Sequence, residues 1–179
     1  MSVYERLDRV HGLTSQNPGA RYRVIYNKSG TFVAAAIVEN ESRDLDVGGQ
    51  TVTVTGYVSD YNLYYFETED LDHASYLTAV LNAPIVDQRL KPMQSRDQFG
   101  PRDITKKVLE LPIPRFDPNE PRHRKLAKLG EGCTAKVEGW LARGGAGSTR
   151  SIGKLRSMVR AMLKNELHAI DELVRELLA

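Results

Sequence analysis

After a candidate short helix over Val3 to Val10 and a break at Asn17-Pro18-Gly19, the pattern of apolar and polar side chains up to residue 67 is that of β-strands. Four runs rich in β-branched and aromatic residues are expected to be strands: Tyr22 to Tyr26, Thr31 to Val38, Thr51 to Tyr57 and Leu63 to Phe66. Thr51 to Tyr57 alternates Thr with Val, which predicts a strand with one buried face. The segment from Glu39 to Gly49 is interpreted as a polar acidic loop. The short connections between the strands predict a mostly antiparallel sheet.

From Asp70 onward, apolar residues recur at helical spacing. Helices are expected over four segments, at about residues 71–81, 84–90, 121–141 and 149–178. Asp70 or Asp72 can cap the first of these helices. Pro84 suits the first turn of the second, because its missing N–H needs no partner there. Val108 to Ile113 is predicted to add a short strand.

The last predicted helix has one apolar face over about 30 residues, so it needs a partner along its length, from this chain or from another subunit. The run of glycine and small residues from Gly144 to Ser148 precedes it and is typical of a linker. We therefore divide the chain into a domain over residues 1–142, a linker over 143–148 and a C-terminal amphipathic helix over 149–179. The predicted fold class is α+β, with a small, mostly antiparallel sheet and packed helices, followed by long C-terminal helices.

The composition is that of an ordinary soluble globular protein, with 41% hydrophobic and 27% charged residues in a chain of 179. The single cysteine, Cys133, allows no internal disulfide and fits a reducing compartment. The longest apolar run, Phe32 to Val38, is far shorter than the ~20 residues that a membrane span requires. We therefore expect a cytoplasmic protein without a membrane partner.

The net charge of +2 conceals an uneven distribution. Residues 1–88 contain 6 Lys and Arg against 12 Asp and Glu, whereas residues 89–128 contain 11 against 5. The basic middle segment is a candidate for contact with phosphates, because a phosphate backbone is bound mainly through Lys and Arg. Charge alone favours the alternative, which is an ordinary solvated surface.

Motifs that would indicate an enzyme are missing from the sequence. It contains no GxxxxGK[ST] phosphate loop, no dinucleotide fingerprint after a strand, no HExxH and no GxSxG. The four histidines are scattered, at His11, His73, His123 and His168. Asn82-Ala83-Pro84-Ile85 lacks the two prolines and the aromatic residue of the adenine methyltransferase motif, so we interpret it as a helix break. We expect no catalytic residues, no metal site and no cofactor.

Within the basic segment, eight Arg, Lys and Gln side chains are candidates for contact with DNA: Arg89, Lys91, Gln94, Arg96, Gln98, Arg102, Lys106 and Lys107. Arg matches guanine edges and Gln matches adenine edges in the major groove, while Lys commonly holds phosphates. Gly100-Pro101 supplies a turn from which a loop can present these side chains. Composition alone leaves an ordinary polar surface loop as an equal alternative.

Three stretches of the chain carry a resemblance to a known family. Leu77 to Val86 (LTAVLNAPIV) resembles the leucine-rich helix, followed by Asn-Ser-Pro and apolar residues, of target-recognition domains. Arg96 to Ile104 and then Leu109 to Pro118 are similar to the specificity region of large adenine-N6 DNA methyltransferases. The likeness covers about residues 20–140, and the order of the motifs is more specific than any one of them.

This resemblance implies a non-catalytic domain that reads DNA sequence for an adenine methyltransferase or a restriction-modification system. It implies double-stranded DNA and a methyltransferase domain or subunit as partners, with the loops at about 57–62 and 92–107 approaching the DNA. The methyltransferase motifs themselves are absent from the sequence. The alternative function is a protein-interaction or assembly module that acts through the C-terminal helix, which includes formation of a homodimer.

Overall fold

The computed structural model describes residues 8, 12–60, 62–94, 104–149 and 151–179. These residues contain five strands: β1 (Tyr22–Asn27), β2 (Ala35–Glu39), β3 (Arg43–Val47), β4 (Gln50–Val54) and β5 (Leu63–Thr68). They also contain five α-helices: α1 (Leu71–Asn82), α2 (Pro84–Leu90), α3 (Pro121–Ala142), α4 (Ile152–Met162) and α5 (Lys164–Leu177). Short 3-10 helices are formed by three segments: Lys91–Met93, Thr105–Glu110 and Gly145–Ser148. The predicted α+β class is confirmed.

The larger sheet has three antiparallel strands in the order β2-β1-β5. In its central strand, β1, Val24 is paired with Ile37 of β2 and with Phe66 of β5. Successive side chains of a strand point to opposite faces. Tyr22, Val24 and Tyr26 therefore share one face, and all three are buried in the hydrophobic core.

The smaller sheet is a hairpin of β3 and β4, and it corrects two predictions. The segment interpreted as an acidic loop contains β3, which turns into β4 through Gly48 and Gly49. Both glycines have positive φ, 64° and 83°, as a two-residue hairpin turn of type I′ requires. The buried face predicted for Thr51 to Tyr57 is wrong, since every residue of β3 and β4 is exposed. Alternation alone does not reveal whether another element covers the apolar face.

The beginnings of α1 and α2 agree with the sequence prediction. Asp70 caps α1 by accepting a hydrogen bond from the backbone N–H of Asp72 at 2.8 Å, and Pro84 is the first residue of α2. The strand predicted over Val108 to Ile113 is wrong, because Thr105–Glu110 forms a 3-10 helix instead. A short apolar run has too few residues for its periodicity to distinguish a strand from a helical turn.

Helix α1 lies between the larger sheet and α3, and its residues are buried towards both. A glycine allows the close approach of the two helices. A Cβ atom at Gly130 would overlap the carbonyl oxygen of Ser75 and stand 3.2 Å from the Cβ atom of Ala79. The core therefore has three layers, formed by the sheet, then α1, then α3 together with α5.

The C-terminal segment forms two helices, α4 and α5, rather than the single helix predicted over 149–178. The break lies at Leu163, whose ψ of 14° departs from the helical value of about −42°. Leu163 is buried, and beyond it α5 contributes Ile170 and Val174 to the core. The apolar spacing continues across the break, so periodicity does not reveal it.

Polar contacts connect α5 to both ends of α2. Asp171 accepts a hydrogen bond from the backbone N–H of Ile85 at 2.6 Å. Arg89 donates to the carbonyl oxygen of Leu178 at 2.6 Å. The first N–H groups and the last carbonyl groups of a helix have no partners within it. Each helix therefore supplies a cap for the other, and α5 is joined to the core by hydrogen bonds as well as by apolar packing.

Candidate nucleic-acid interface

The side chains predicted to contact DNA lie in different environments. Three of the eight lie outside the described residues: Arg96, Gln98 and Arg102. Lys91 and Lys106 are exposed, and Lys107 is half-buried. Lys91 directly follows α2, whereas Lys106 and Lys107 lie on the 3-10 helix at Thr105–Glu110. In the sequence the three lysines therefore flank the stretch that carries the predicted base-reading side chains.

The remaining two candidates are not exposed. Gln94 is only 7% exposed, so its side chain is directed into the molecule. Arg89 is half-buried, and its guanidinium donates to the carbonyl oxygen of Leu178 at the end of α5. In this arrangement neither side chain is presented to a ligand at the surface.

A dense basic surface lies at the beginning of α3, where Arg122, Arg124, Lys125 and Lys128 are all exposed. Arg122 pairs with the cap residue Glu120, at 2.9 Å. Within the described ranges, no ion pair or side-chain hydrogen bond engages Lys125 or Lys128. Both lysines fall inside the basic segment 89–128, although they are not among the eight candidates.

Three of these cations surround one surface concavity of about 430 Å³. Arg124, Lys125 and Lys128 line it together with Pro121 and Leu129, so no acidic side chain of the described chain is in the lining. The concavity is open and its lining comes from one face of α3, so the cations on its neighbouring turns add to one positive potential at the surface. An anion that approaches the concavity meets three cations at once.

The cations also oppose the usual charge preference of a helix. A helix N-terminus carries partial positive charge, so basic side chains in the first turns reduce stability. In α3 the first turn contains Arg122 and has no acidic residue. The cap residue Glu120 places a carboxylate at the helix N-terminus, so the positive potential of this surface comes from the side chains on the following turns. Four cations within the first eight residues of a predicted helix are the sequence signal that identifies this surface.

An aromatic cluster holds the beginning of α3 against α1. His123 is buried and accepts at Nδ1 the backbone N–H of Asp117, at 3.0 Å, so Nδ1 carries no proton. Its ring lies 4.7 Å from that of Tyr76, centroid to centroid. Tyr76 donates to the carbonyl oxygen of Pro114 at 2.9 Å, and burial raises the pKa of Tyr76 to about 12. The basic surface therefore has a fixed position relative to the core.

The other loop expected near DNA, at about 57–62, is anchored to the body of the protein. Gln16 donates to the carbonyl oxygen of Ser59 at 2.7 Å and accepts the N–H of Ser59 at 2.7 Å. Arg23 donates to the carbonyl oxygen of Tyr57. Tyr61 lies outside the described residues. The described part of this loop is thus held by side chains from the beginning of the chain.

Asn82 has a structural task that its sequence context does not reveal. Helix α1 ends at Asn82, in agreement with the predicted helix break. Its side-chain amide exchanges two hydrogen bonds with the backbone of Ala35, accepting at 3.1 Å and donating at 2.9 Å. The amide therefore occupies the place of a neighbouring strand at the beginning of β2.

Among the described residues, no three His, Cys, Asp or Glu side chains are grouped so that they could hold a metal ion. No helix in the described ranges is long and apolar enough to cross a membrane. Protein-family models, curated proteins and solved structures were compared with the chain, and none of them matches it.

Proposed function

We propose that this chain is a non-catalytic, sequence-specific DNA-recognition module of an adenine methyltransferase or restriction-modification system. The observation that carries the proposal is the grouping of Arg124, Lys125 and Lys128 around one concavity without an acidic lining residue in the described chain. Duplex DNA presents rows of phosphates, and cations that neutralise them release condensed counterions. The link to methyltransferases rests on the resemblance of Leu77 to Val86 and of Leu109 to Pro118.

Two groups of residues have different tasks in this proposal. Contacts with phosphates position a protein on DNA, whereas contacts with base edges determine which sequence it binds. We assign the phosphate contacts to the basic surface of α3 and to the exposed Lys91 and Lys106. The base contacts are assigned to Arg96, Gln98 and Arg102, which stay predictions from the sequence.

The alternative function, assembly through the C-terminal helix, has less support. The apolar face of α5 is already used inside the chain, where Ile170 and Val174 are buried. On α4, Ile152 is 66% exposed, so an assembly surface would have to be built around it. DNA recognition uses a surface that is exposed and charged along about two turns of α3, and we favour it for that reason.

Salt-dependent binding to duplex DNA tests the proposal. The affinity of the wild-type chain for a duplex should fall steeply with salt, because each phosphate contact releases counterions. Lys125→Glu combined with Lys128→Glu should lower the slope of log affinity against log salt by about 2, roughly one for each lysine. The slope can be measured by fluorescence anisotropy over a range of salt concentrations.

A matched control is available on the C-terminal helices. Lys154 and Lys164 are exposed, and replacing both with Glu makes the same change in net charge. Lys136 of α3 pairs with Glu166 at 2.6 Å, so the beginning of α5 lies beside Lys136. Along α3, Lys136 is about 12 Å from Lys128, the nearer of the two lysines of the basic surface. This exceeds the screening length of about 8–10 Å at physiological salt. Equal effects of the two double variants, or no effect of either, would overturn the proposed surface.

A further inference from the structure

A second concavity lies inside the described part of the molecule, between β2, α1, α3, α4 and α5. Its volume is about 460 Å³, within the range of roughly 300–1,000 Å³ that is typical of small-molecule sites. Most of its lining is aliphatic, including six side chains from all five elements: Ile37, Ala79, Val137, Leu155, Val159 and Leu167. Leu141 and Ala36 in the lining are exposed, so the cavity is open to solvent on one side.

Helix α4 forms the outer wall of this cavity, and its own side chains do not fill the space. None of the residues of α4 is buried, although Leu155 and Val159 face inward and line the cavity. Side chains that border an unfilled apolar space lose the dispersion contacts that close packing would give them. An apolar body placed in this cavity would restore those contacts.

Two arginines on α4 give the cavity a cationic end. Arg156 and Arg160 are among the lining residues, and both guanidinium groups lie over the ring of Phe32, at 5.9 Å and 5.1 Å from its centroid. In the described chain neither arginine forms an ion pair. The acidic groups nearby are Glu138, which is in the lining, and Asp87, whose carboxylate accepts the backbone N–H of Val33 at 2.7 Å.

We propose that this cavity binds an amphipathic organic carboxylate, with its apolar body between α1, α3 and α5 and its carboxylate paired with Arg156 and Arg160. A guanidinium stacked on an aromatic ring keeps the N–H donors at its edge available, and those donors match a carboxylate in geometry. The ligand fills the space behind α4 and stabilises α4 in its present position. The inference does not depend on DNA recognition, because the cavity and the surface formed by Arg124, Lys125 and Lys128 share no lining residue.

Cys133 provides a direct readout of occupancy. It is the only cysteine of the chain, it is half-buried, and it lines the cavity. Burial raises the pKa of its thiol, with a further increase from Glu166 and an opposing effect of Lys136. Alkylation of Cys133 by iodoacetamide at one fixed pH is therefore slow but measurable. A ligand in the cavity should slow it further.

The experiment uses the full chain and decanoate, below the concentration at which decanoate forms micelles. We expect decanoate to bind once per chain by calorimetry and to slow alkylation of Cys133 at least several-fold, while decanol binds more weakly. Arg156→Gln combined with Arg160→Gln should weaken decanoate binding about tenfold or more, since two charge-assisted contacts are lost. Lys154→Gln on the same helix, which does not line the cavity, should leave binding unchanged.

A cavity-filling variant separates binding inside the cavity from adsorption at the surface. Leu155→Trp should abolish both decanoate binding and protection of Cys133, and Val159→Phe serves the same purpose if the first variant does not fold. Absence of binding up to millimolar decanoate would overturn the proposal. So would binding without protection of Cys133, or binding that the arginine and cavity-filling variants leave unchanged.

Discussion

Two arginines separated by one residue have opposite environments. The Arg21 side chain is 62% exposed and lies 3.7 Å from Glu39. The Arg23 side chain is 3% exposed and contacts Glu67 at 2.6 Å, while also donating to the carbonyl oxygens of Asn17 and Tyr57. These contacts offset part of the cost of burying the guanidinium, whose Nε is itself buried without a hydrogen-bond partner among the described residues. Arg23 thereby joins the loops on the outer face of the larger sheet to β1.

Replacing the buried arginine should be costly. Arg23→Met keeps most of the aliphatic stem and removes all the donors, so it should lower the free energy of unfolding by about 2–3 kcal/mol. Arg21→Met should change it by less than about 0.5 kcal/mol, because an exposed ion pair contributes little. Urea unfolding of both variants measures the difference. Equal changes would show that the contacts of Arg23 do not stabilise the fold.

The environment of such residues could not be predicted from the sequence, because their partners are far away along the chain. Arg23 lies 34 residues from Tyr57 and 44 from Glu67, and Gln16 lies 43 from Ser59. Asp70 as a helix cap is the opposite case, since it acts on Asp72 two residues away. Local polar contacts are therefore predictable from sequence, and long-range ones are not.

At the scale of the elements, α3 contains two glycines that differ in what surrounds them. A Cβ atom at Gly130 would collide with the backbone of α1 at Ser75, whereas a Cβ atom at Gly132 would meet nothing within 4 Å. Both residues lie in the middle of the same helix. Only the first has a packing reason to be glycine.

Alanine at these two positions should therefore have opposite effects. Gly132→Ala should stabilise the protein by about 0.5–1 kcal/mol through helix propensity. Gly130→Ala should destabilise it by about 1–3 kcal/mol, because α1 and α3 must move apart. Thermal or urea unfolding of the two variants checks the signs. Stabilisation by both would contradict the close contact of α1 with α3.

The elements that could be predicted are those with strong local signals. Asp70 marks the beginning of α1 as its cap, and Pro84 marks the beginning of α2. The long helical pattern over α3 likewise predicts its position to within a few residues. The hairpin of β3 and β4 was missed because its polar composition resembles a loop, although Gly48-Gly49 is a hairpin signal. The break at Leu163 depends on how α5 packs against the rest of the chain, and no local signal marks it.

At the scale of the whole molecule, the charge distribution of the sequence is the part of the candidate site that could be predicted. It located the basic segment at 89–128, and the exposed cations at the beginning of α3 lie within it. The charge distribution did not show which of these side chains are exposed and which are buried or bonded within the protein. Gln94 is buried, and Arg89 donates to Leu178, 89 residues further along the chain, a contact that depends on how α2 meets the end of the chain.

The burial of α5 determines which substitutions can test the alternative function, assembly through the C-terminal helix. A disruptive substitution at Ile170, such as Ile170→Glu, would place a charge in the core rather than at an interface between subunits. Ile152 also lies on the C-terminal helices but is exposed, so a charge there would act on an interface between subunits and not on the core. A test of oligomerisation therefore uses Ile152→Glu and leaves α5 intact.

Selection of bound duplexes from a random pool tests directly whether the chain recognises a DNA sequence, as proposed. We expect the wild-type chain to enrich one defined sequence. The Lys125→Glu and Lys128→Glu double variant should enrich the same sequence with lower recovery, because phosphate contacts carry little sequence information. Bound duplexes with the same composition as the starting pool would contradict sequence-specific recognition by this chain.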